Sequence, residues 1–308
     1  MAQKEDPVVK GRNLSQGEGF IKAEHKSEES RTIFCMDIVK KVYRFYESWQ
    51  GEKRIIGASV CGLPLVAVFV GRHSYPQIIV QYSIHAREWV TALLAQEQIL
   101  RGLNRGGAWF VPMVNPDGVL LSVTGEAFLR QIPPWRAEFL RQINGSGDFG
   151  LWKANANAVD LNVNFSAGWG MGESNVFMPA PENYIGRRAF SEPETRALKR
   201  FTQDICPDAT LSYHTKGEEI YWEYGQKGEA LARDERIAAA LAEETGYAAT
   251  KITGSGGGYK DWCIREKGIP AFTIEAGSDA LKHPLKECDL APILVKNRDV
   301  VRRLAEAL

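Results

Sequence analysis

Three apolar, β-rich runs each lead directly into a side chain that can bind a metal or accept a proton. Residues 77–84 precede His85, residues 209–213 precede His214, and residues 271–274 precede Glu275. Runs of this kind are typical of buried strands, and the carboxyl ends of neighbouring strands in an open α/β sheet meet in one crevice. We therefore expect the three side chains to converge at one edge of a sheet.

Strands and helices alternate along most of the chain. Further β-rich runs lie at 55–60, 63–70 and 109–114, and helical spacing is found at 32–49, 88–100, 229–244 and 290–308. The spacing from Ser191 to Glu194 is that of a capping box and predicts the start of another helix. Because no repeat or mid-chain linker interrupts this alternation, we expect one α/β domain over residues 33–308. Residues 1–32 are polar and aperiodic and are predicted to form an N-terminal arm.

Composition gives no support for binding to nucleic acid or insertion into a membrane. The 308 residues carry 38 basic and 38 acidic side chains, so overall charge gives no reason to expect binding to nucleic acid. The longest apolar stretches fall far short of the roughly 20 residues that cross a bilayer, and no membrane insertion is expected. Five widely spaced cysteines without a CxxC pair, together with the lack of a hydrophobic leader, predict reduced thiols and a cytoplasmic protein. The oligomeric state is left open.

The residue types at the ends of the three runs suit a catalytic zinc site. His85 and Glu88 are three residues apart across a predicted strand-to-helix turn, and His214 adds a second nitrogen ligand. Two histidines and one glutamate leave the fourth tetrahedral position for water, as a catalytic zinc requires. Glu275 then lies near the zinc without binding it and acts as general base. Taken singly, each residue is more often an ordinary polar side chain, and His283, in a charged loop, is expected to be structural.

Five motifs extend this pattern. They are HAREW at residues 85–89, NPDG at 115–118, VDLN at 159–162, SYH at 212–214 and TIE at 273–275. In order and rough spacing the chain resembles zinc carboxypeptidases of the carboxypeptidase A type over roughly residues 40–305. The resemblance implies a zinc peptidase catalytic domain with a central mixed, twisted sheet flanked by helices. It also implies one zinc ion held by His85, Glu88 and His214, with Glu275 as general base and later general acid.

The resemblance assigns roles to four further residues. Asp160 matches the carboxylate that orients the first zinc-binding histidine through its other ring nitrogen, with an ordinary turn residue as the alternative. Arg87 and Asn162 match substrate-contacting positions. Lys153 stands where the family has an arginine that polarises the scissile carbonyl, and a lysine keeps the positive charge without the guanidinium fork. A solvated loop lysine is the alternative for Lys153.

Departures from the family pattern concern the substrate. The arginine that grips a C-terminal carboxylate in the family is replaced by Val163, which argues against an ordinary exopeptidase. The family's mobile tyrosine aligns with Thr253. Tyr259, six residues later, is a candidate substitute, although a gapless alignment does not place it at that position. Lys260 aligns with the residue that sets side-chain preference at the floor of the primed-side pocket, where a cation suits a substrate with an extra carboxylate. A local ion pair with Asp261 is the alternative reading of Lys260.

Two longer sequence segments indicate which members of the family the chain resembles most. YHTKGEEIYW at 213–222 and GGGYKDW at 256–262 look most like bacterial γ-D-glutamyl-L-diamino acid endopeptidases, which cleave peptidoglycan stem peptides. The resemblance therefore implies zinc-dependent hydrolysis of a γ-D-glutamyl-diaminopimelate bond in a muropeptide. The alternatives are a metallocarboxypeptidase or amidoacylase acting on other peptides, and a zinc-retaining but inactive module that binds cell-wall fragments. The intact Glu275 disfavours the inactive module, because a pure binder has no use for a general base.

Overall fold

A computed structural model of the chain describes residues 38–308. The predicted N-terminal arm and the start of the predicted domain at residue 33 lie outside these residues, so both stay predictions. Helix α1 is described over residues 38–48, inside the segment 32–49 that was predicted to be helical.

Eight strands form one mixed sheet in the described part of the chain. They are β1 (Lys53–Ala58), β2 (Pro64–Gly71), β3 (Gln77–Gln81), β4 (Gly107–Val111), β5 (Ala209–His214), β6 (Glu219–Tyr221), β7 (Ala248–Thr250) and β8 (Ala271–Glu275). Their order is β1-β2-β4-β3-β5-β8-β6-β7. The central strands β4, β3, β5 and β8 are mutually parallel, whereas β2 joins β4, and β6 joins β8, in antiparallel pairs. The carboxyl ends of the four central strands therefore lie along one edge.

Helices cover both faces of this sheet. They are α2 (Val90–Arg101), α3 (Pro116–Thr124), α4 (Glu126–Leu129), α5 (Pro134–Asn144), α6 (Pro193–Ile205), α7 (Gly228–Thr245), α8 (Tyr259–Lys267), α9 (Leu290–Asn297) and α10 (Val300–Ala307). Alternate residues of β3 enter opposite cores: Ile78 packs in one core with side chains of α2, α7 and α10, and Ile79 in another with α6 and α8. Burial on both faces explains why the central strands are almost continuously apolar. The predicted α/β architecture is confirmed.

A third, smaller core lies under helices α3 to α5. It includes Ala86 and Trp152, both fully buried. These two residues directly neighbour His85 and Lys153 in the sequence. The packing of this core therefore anchors two segments that carry candidate site residues.

Two local predictions are wrong. The predicted helix at 290–308 is two helices, α9 and α10, and the break lies beside Asp299, whose carboxylate accepts hydrogen bonds from Arg101 at 2.8 Å and Arg302 at 3.4 Å. Helix α6 begins at Pro193, as the spacing from Ser191 to Glu194 predicts, but the capping box itself does not form, because the N-cap is Glu192. Glu194 instead points into the interior and accepts a hydrogen bond from the backbone N–H of Val60 at 3.1 Å.

No helix within residues 38–308 combines the length and the apolar character needed to cross a membrane. The cysteines in this range, Cys61, Cys206, Cys263 and Cys288, are all free thiols. No disulfide joins these four cysteines, the reduced state of the thiols stays a prediction, and Cys35 lies outside the described residues.

Candidate metal centre

The ends of three central strands bring the candidate metal ligands together. His214 and Glu275 are the last residues of β5 and β8 and are paired in the parallel register of these strands. His85 follows β3, the other neighbour of β5, and begins a short 3₁₀ turn, Ala86–Glu88, which carries Glu88. The predicted convergence at the carboxyl edge of the sheet is therefore observed.

The segment that carries His85 is tied to the segment that carries Lys153. The fully buried side-chain amide of Asn115, the first residue of the NPDG motif, donates to the carbonyl oxygens of Ile84 at 3.2 Å and Ala154 at 3.1 Å. The backbone N–H of Ala86 also donates to the carbonyl of Lys153 at 3.0 Å. Buried backbone groups of this kind need partners, so these bonds fix the spacing between the two segments.

Three ligand atoms surround a single point. His85 Nδ1 lies 3.0 Å from Glu88 Oε1 and 3.0 Å from His214 Nδ1, and His214 Nδ1 lies 3.1 Å from Glu88 Oε2. All three side chains are buried, and within residues 38–308 they form the one group of at least three His, Cys, Asp or Glu residues arranged to hold a metal. Two nitrogens and a carboxylate are the ligand set of an open, catalytic zinc site.

The hydrogen bonding of His85 supports the same conclusion. Its Nε2 lies 3.2 Å from Asp160 Oδ1, and a neutral imidazole that donates from Nε2 keeps a lone pair on Nδ1. That lone pair faces the Glu88 carboxylate, so two acceptors approach each other at 3.0 Å. A cation between them turns this unfavourable contact into coordination, and a carboxylate behind the histidine is the usual support for such a ligand.

Asp160 lies beside the metal cluster and contacts both His85 and Lys153. Its two oxygens also accept the backbone N–H groups of Asn162 at 3.0 Å and Asn183 at 3.1 Å, and Lys153 Nζ lies 3.2 Å from Oδ2. Complete burial raises the pKa of Asp160, but Lys153 and His85 outweigh it and hold the pKa well below its usual range. Asp160 is therefore ionised, and the predicted contact with His85 is present in the structure.

Lys153 is not a solvated loop lysine. Its side chain is 18% exposed and lies against Asp160. Burial lowers the pKa of Lys153, yet the carboxylates of Asp160 and Glu88 raise it more, so the ammonium group stays charged. A fixed positive charge beside the metal cluster is suited to stabilise negative charge that develops there.

Glu275 has the acid–base properties expected of a proton carrier. Burial raises the pKa of Glu275 to about 7, with Glu88 adding to the shift and His214 and Lys153 opposing it. A carboxyl group that titrates near neutrality can both accept a proton from water and return it. Gly217 lies against this residue, since a Cβ placed on Gly217 would lie 3.7 Å from the Cβ of Glu275.

The predicted substrate-contacting residues have different surroundings. Arg87 lies 3.3 Å from Glu182 and donates to the carbonyl of Leu151 at 3.3 Å. Asn162 accepts the backbone N–H of Tyr259 at 3.2 Å through its side-chain oxygen. Thr253 is exposed in the loop between β7 and α8. None of these contacts tests substrate binding, so the three assignments stay predictions.

The expectation for Tyr259 is wrong. Its ring is fully buried, and its hydroxyl bonds to Thr202 Oγ1 at 2.8 Å inside the core beneath α8. Phe165 and Trp262 pack against the ring, with centroids 5.4 and 6.2 Å away. Because Tyr259 is the first residue of α8 and points toward the sheet, its hydroxyl cannot replace the mobile tyrosine of the family.

Lys260 forms the local ion pair that was the alternative to substrate selection. Its Nζ lies 2.7 Å from Asp261 Oδ1 and donates to the carbonyl of Glu223 at 3.1 Å, and the side chain is only 7% exposed. The charge of Lys260 is therefore balanced within the protein. Its proposed preference for a substrate carboxylate stays a prediction.

Sequence reasoning missed three residues near the cluster. Burial lowers the pKa of His283, while the charge of Glu88 raises it and that of Arg87 lowers it, so this histidine is within electrostatic range of the cluster. A loop histidine has no periodic signal that would have revealed this position. Glu219 and Tyr221 lie on β6, and the hydroxyl of Tyr221 donates to Glu219 Oε2 at 2.5 Å. Their spacing of two places them on one face of a strand, but a strand of three residues is too short to be recognised by alternation.

The sheet edge with two histidines, a glutamate and a neighbouring carboxyl of raised pKa defines a zinc hydrolase. Residues 50–298 match the family described as zinc carboxypeptidase. The chain belongs to this family, which uses one zinc ion, and is a zinc-dependent hydrolase.

Individual relatives agree with this assignment. The γ-D-glutamyl-L-diamino acid endopeptidase 1 of Lysinibacillus sphaericus is 32% identical over 277 residues, which cover 82% of this chain and 67% of the relative. Among solved structures, thrombin-activatable fibrinolysis inhibitor superposes with a TM-score of 0.65 at 21% identity, covering 87% of this chain and 74% of that one. Murein-tripeptide amidase MpaA of Escherichia coli O157 superposes with a TM-score of 0.56 at 21% identity, over 83% and 92% of the two chains. The two structural matches show a shared fold.

Proposed function

We propose that the protein hydrolyses the amide bond between γ-D-glutamate and diaminopimelate in peptidoglycan stem peptides. The observation that carries this choice is the similarity to the Lysinibacillus sphaericus endopeptidase across 82% of the chain. Val163 supports it, since an apolar side chain at the end of the 3₁₀ turn Leu161–Val163 cannot grip a free C-terminal carboxylate. The bond attacked then need not be adjacent to a chain terminus.

His85, Glu88 and His214 would hold the zinc ion. When bound, zinc supplies a Lewis acid and a water of lowered pKa. Glu275 takes a proton from the attacking water and returns it to the leaving amine. Lys153 presents its ammonium to the oxygen on which negative charge develops, while Asp160 keeps both His85 and Lys153 oriented.

The alternative is a metallocarboxypeptidase or amidoacylase that acts on other peptides. Human carboxypeptidase B, 26% identical over 73% of this chain, favours this candidate at the level of the family. It requires a carboxylate anchor from a residue other than Val163. An inactive binding module is disfavoured by Glu275, whose raised pKa suits proton transfer.

Defined substrates distinguish these candidates. The protein is incubated with a γ-D-glutamyl-diaminopimelate peptide and, separately, with plain peptides that have free C-termini, and the products are identified by mass spectrometry. We expect cleavage of the γ-linked bond, lost on addition of a chelator and restored by zinc. Release of C-terminal residues from plain peptides alone would favour the carboxypeptidase, and tight binding without any cleavage would favour the module. The proposed reaction does not depend on the cytoplasmic location, which stays a prediction.

A further inference from the structure

A row of polar side chains crosses the sheet at the metal centre. His214 pairs with Glu275 in β5 and β8, and Glu275 pairs with Glu219 in β8 and β6. Residues paired in this way project from the same face of a sheet. Glu219 is therefore next to the proposed general base, on the side away from His214.

Glu219 is a carboxylate without a counter-ion among the described residues. No Lys, Arg or His within residues 38–308 has a nitrogen within 4.0 Å of it, whereas its sequence neighbour Glu218 pairs with Lys296 at 2.7 Å. The hydroxyl of Tyr221 donates to Oε2 at 2.5 Å and thereby fixes the carboxylate, and no described group bonds to Oε1. Like charges directly opposite each other on paired strands are unfavourable. The arrangement of Glu219 and Glu275 is thus suited to receive a positively charged group.

The space near Glu219 is open to a ligand. A Cβ placed on Gly217 would make ordinary van der Waals contact with Glu219 Oε2 at 3.9 Å and with the Cβ of Glu275 at 3.7 Å, so Gly217 lies against both glutamates. Both glutamates and Tyr221 remain partly exposed.

The next row of paired residues across the sheet is also polar. This row crosses strands β3, β5, β8 and β6 and lies two positions from the row that contains His214, Glu275 and Glu219. Its members are Gln81, Ser212, Thr273 and Tyr221. Gln81 and Ser212 are almost completely buried, yet both amide atoms of Gln81 and the Oγ of Ser212 lack partners within the described residues. Buried polar atoms are normally hydrogen-bonded, so the polar character of this row is unusual for the interior of a sheet, although Gln81 and Ser212 are separated from Glu219 by strand β8.

We propose that Glu219, positioned by Tyr221, is a specificity-determining residue that binds the distal ammonium group of a diamino acid on the primed side of the scissile bond. The inference rests on the proposed function, in which the leaving residue is a diamino acid. Lysine and diaminopimelate both carry this ammonium group, so both are accepted. A residue of the same length without the ammonium leaves Glu219 desolvated and unpaired, which is costly.

Matched substrates test the inference. The pair γ-D-glutamyl-L-lysine and γ-D-glutamyl-L-norleucine differs by the ammonium group alone. For the zinc-loaded wild type we expect kcat/KM to favour the lysine substrate by about tenfold or more, as one charged hydrogen bond provides. Glu219→Gln removes this preference by slowing the lysine substrate and sparing the norleucine substrate. Glu218→Gln is the matched control and keeps the preference, and Tyr221→Phe weakens it.

Two results would overturn the assignment. Equal slowing of both substrates by Glu219→Gln, with a shifted pH profile, would show that Glu219 acts on Glu275 rather than on the substrate. An unchanged preference in this variant would show that the ammonium is bound elsewhere. If the protein cleaves only α-linked peptides, the proposed function fails, but the same lysine and norleucine comparison in α-linked substrates still decides the role of Glu219.

A binding measurement decides the role without turnover. Isothermal titration of the zinc-loaded protein with free L-lysine and L-norleucine is expected to show tighter binding of lysine to the wild type and equal binding of both to Glu219→Gln. Equal Kd values for the two amino acids in the wild type would contradict the inference.

Discussion

The metal cluster and the neighbouring strand β6, which carries Glu219, differ in how their charges are balanced. Around the cluster each charge has a fixed partner, as in the chain of contacts from His85 through Asp160 to Lys153. Beside it, Glu219 faces Glu275 with no cation among residues 38–308 within ion-pair distance. A preorganised site of the first kind serves a reaction that does not change. An unpaired charge such as that of Glu219 is neutralised only when an oppositely charged ligand binds. The metal cluster therefore carries out the hydrolysis, and the region of Glu219 selects the substrate.

Removing the proton carrier gives the largest expected effect. Glu275→Gln keeps the size of the side chain but cannot accept a proton, so we expect kcat to fall by up to about 10⁴-fold. The zinc content, measured by atomic absorption, stays at one ion per chain, because Glu275 is not one of the three ligands. Turnover like that of the wild type would exclude the assigned role.

Removing the positive charge of Lys153 is expected to have the next largest effect. Lys153→Met has a side chain of similar length and should lower kcat by about 10²- to 10³-fold. Since Lys153 lowers the pKa of Glu275, its loss raises that pKa, and the acidic limb of the pH profile of kcat/KM moves to higher pH. Lys153→Arg keeps the charge and should leave the acidic limb in place. A Met variant within a few-fold of the wild type would make Lys153 a structural residue.

Removing the negative charge of Asp160, which contacts His85 and Lys153, is expected to weaken zinc binding. Asp160→Asn removes the charge that supports His85, so the Kd for zinc should rise by about 10- to 100-fold in a competition titration with a chelator. Asp117→Asn is the matched control, because Asp117 is also a buried carboxylate but bonds to Ser59 and Cys61, away from the cluster. An equal loss of zinc affinity in both variants would point to general destabilisation.

The smallest effect is expected at a residue that belongs to neither region. Tyr259→Phe deletes the hydroxyl that bonds to Thr202, and the free energy of unfolding should fall by about 1 kcal/mol in chemical denaturation. Values of kcat/KM should not change, because the ring is buried in the core. A large loss of activity with unchanged stability would show that the hydroxyl of Tyr259 takes part in substrate binding after all.

The sequence predicted the metal cluster better than its substrate side, for a physical reason. His85, His214 and Glu275 each follow an apolar strand, and strand ends have a geometry that the sheet imposes. The substrate side depends on β6, which has three residues, and on the direction in which the first residue of α8 points. Neither alternation nor alignment determines that direction, so Tyr259 is named from the sequence as a candidate substrate contact and Glu219 is missed.

Helix boundaries failed where side chains outside the helix decide them. Apolar spacing alone joined α9 to α10, because the contact that marks the break is the pairing of Asp299 with Arg101 from α2. Ser191 and Glu194 have the spacing of a capping box, but Glu194 is buried against Val60 instead. Long-range partners of this kind have no signature in a local window of sequence.

The sharing of Asp160 between the metal ligand His85 and the ammonium group of Lys153 limits how this enzyme can be redesigned. A change at His85 intended to exchange the metal also alters the surroundings of Asp160, which holds Lys153 in place. A change at Lys153 likewise alters the carboxylate that supports His85. Substitutions at the two positions should therefore be non-additive, and libraries that vary them one at a time would miss the productive pairs.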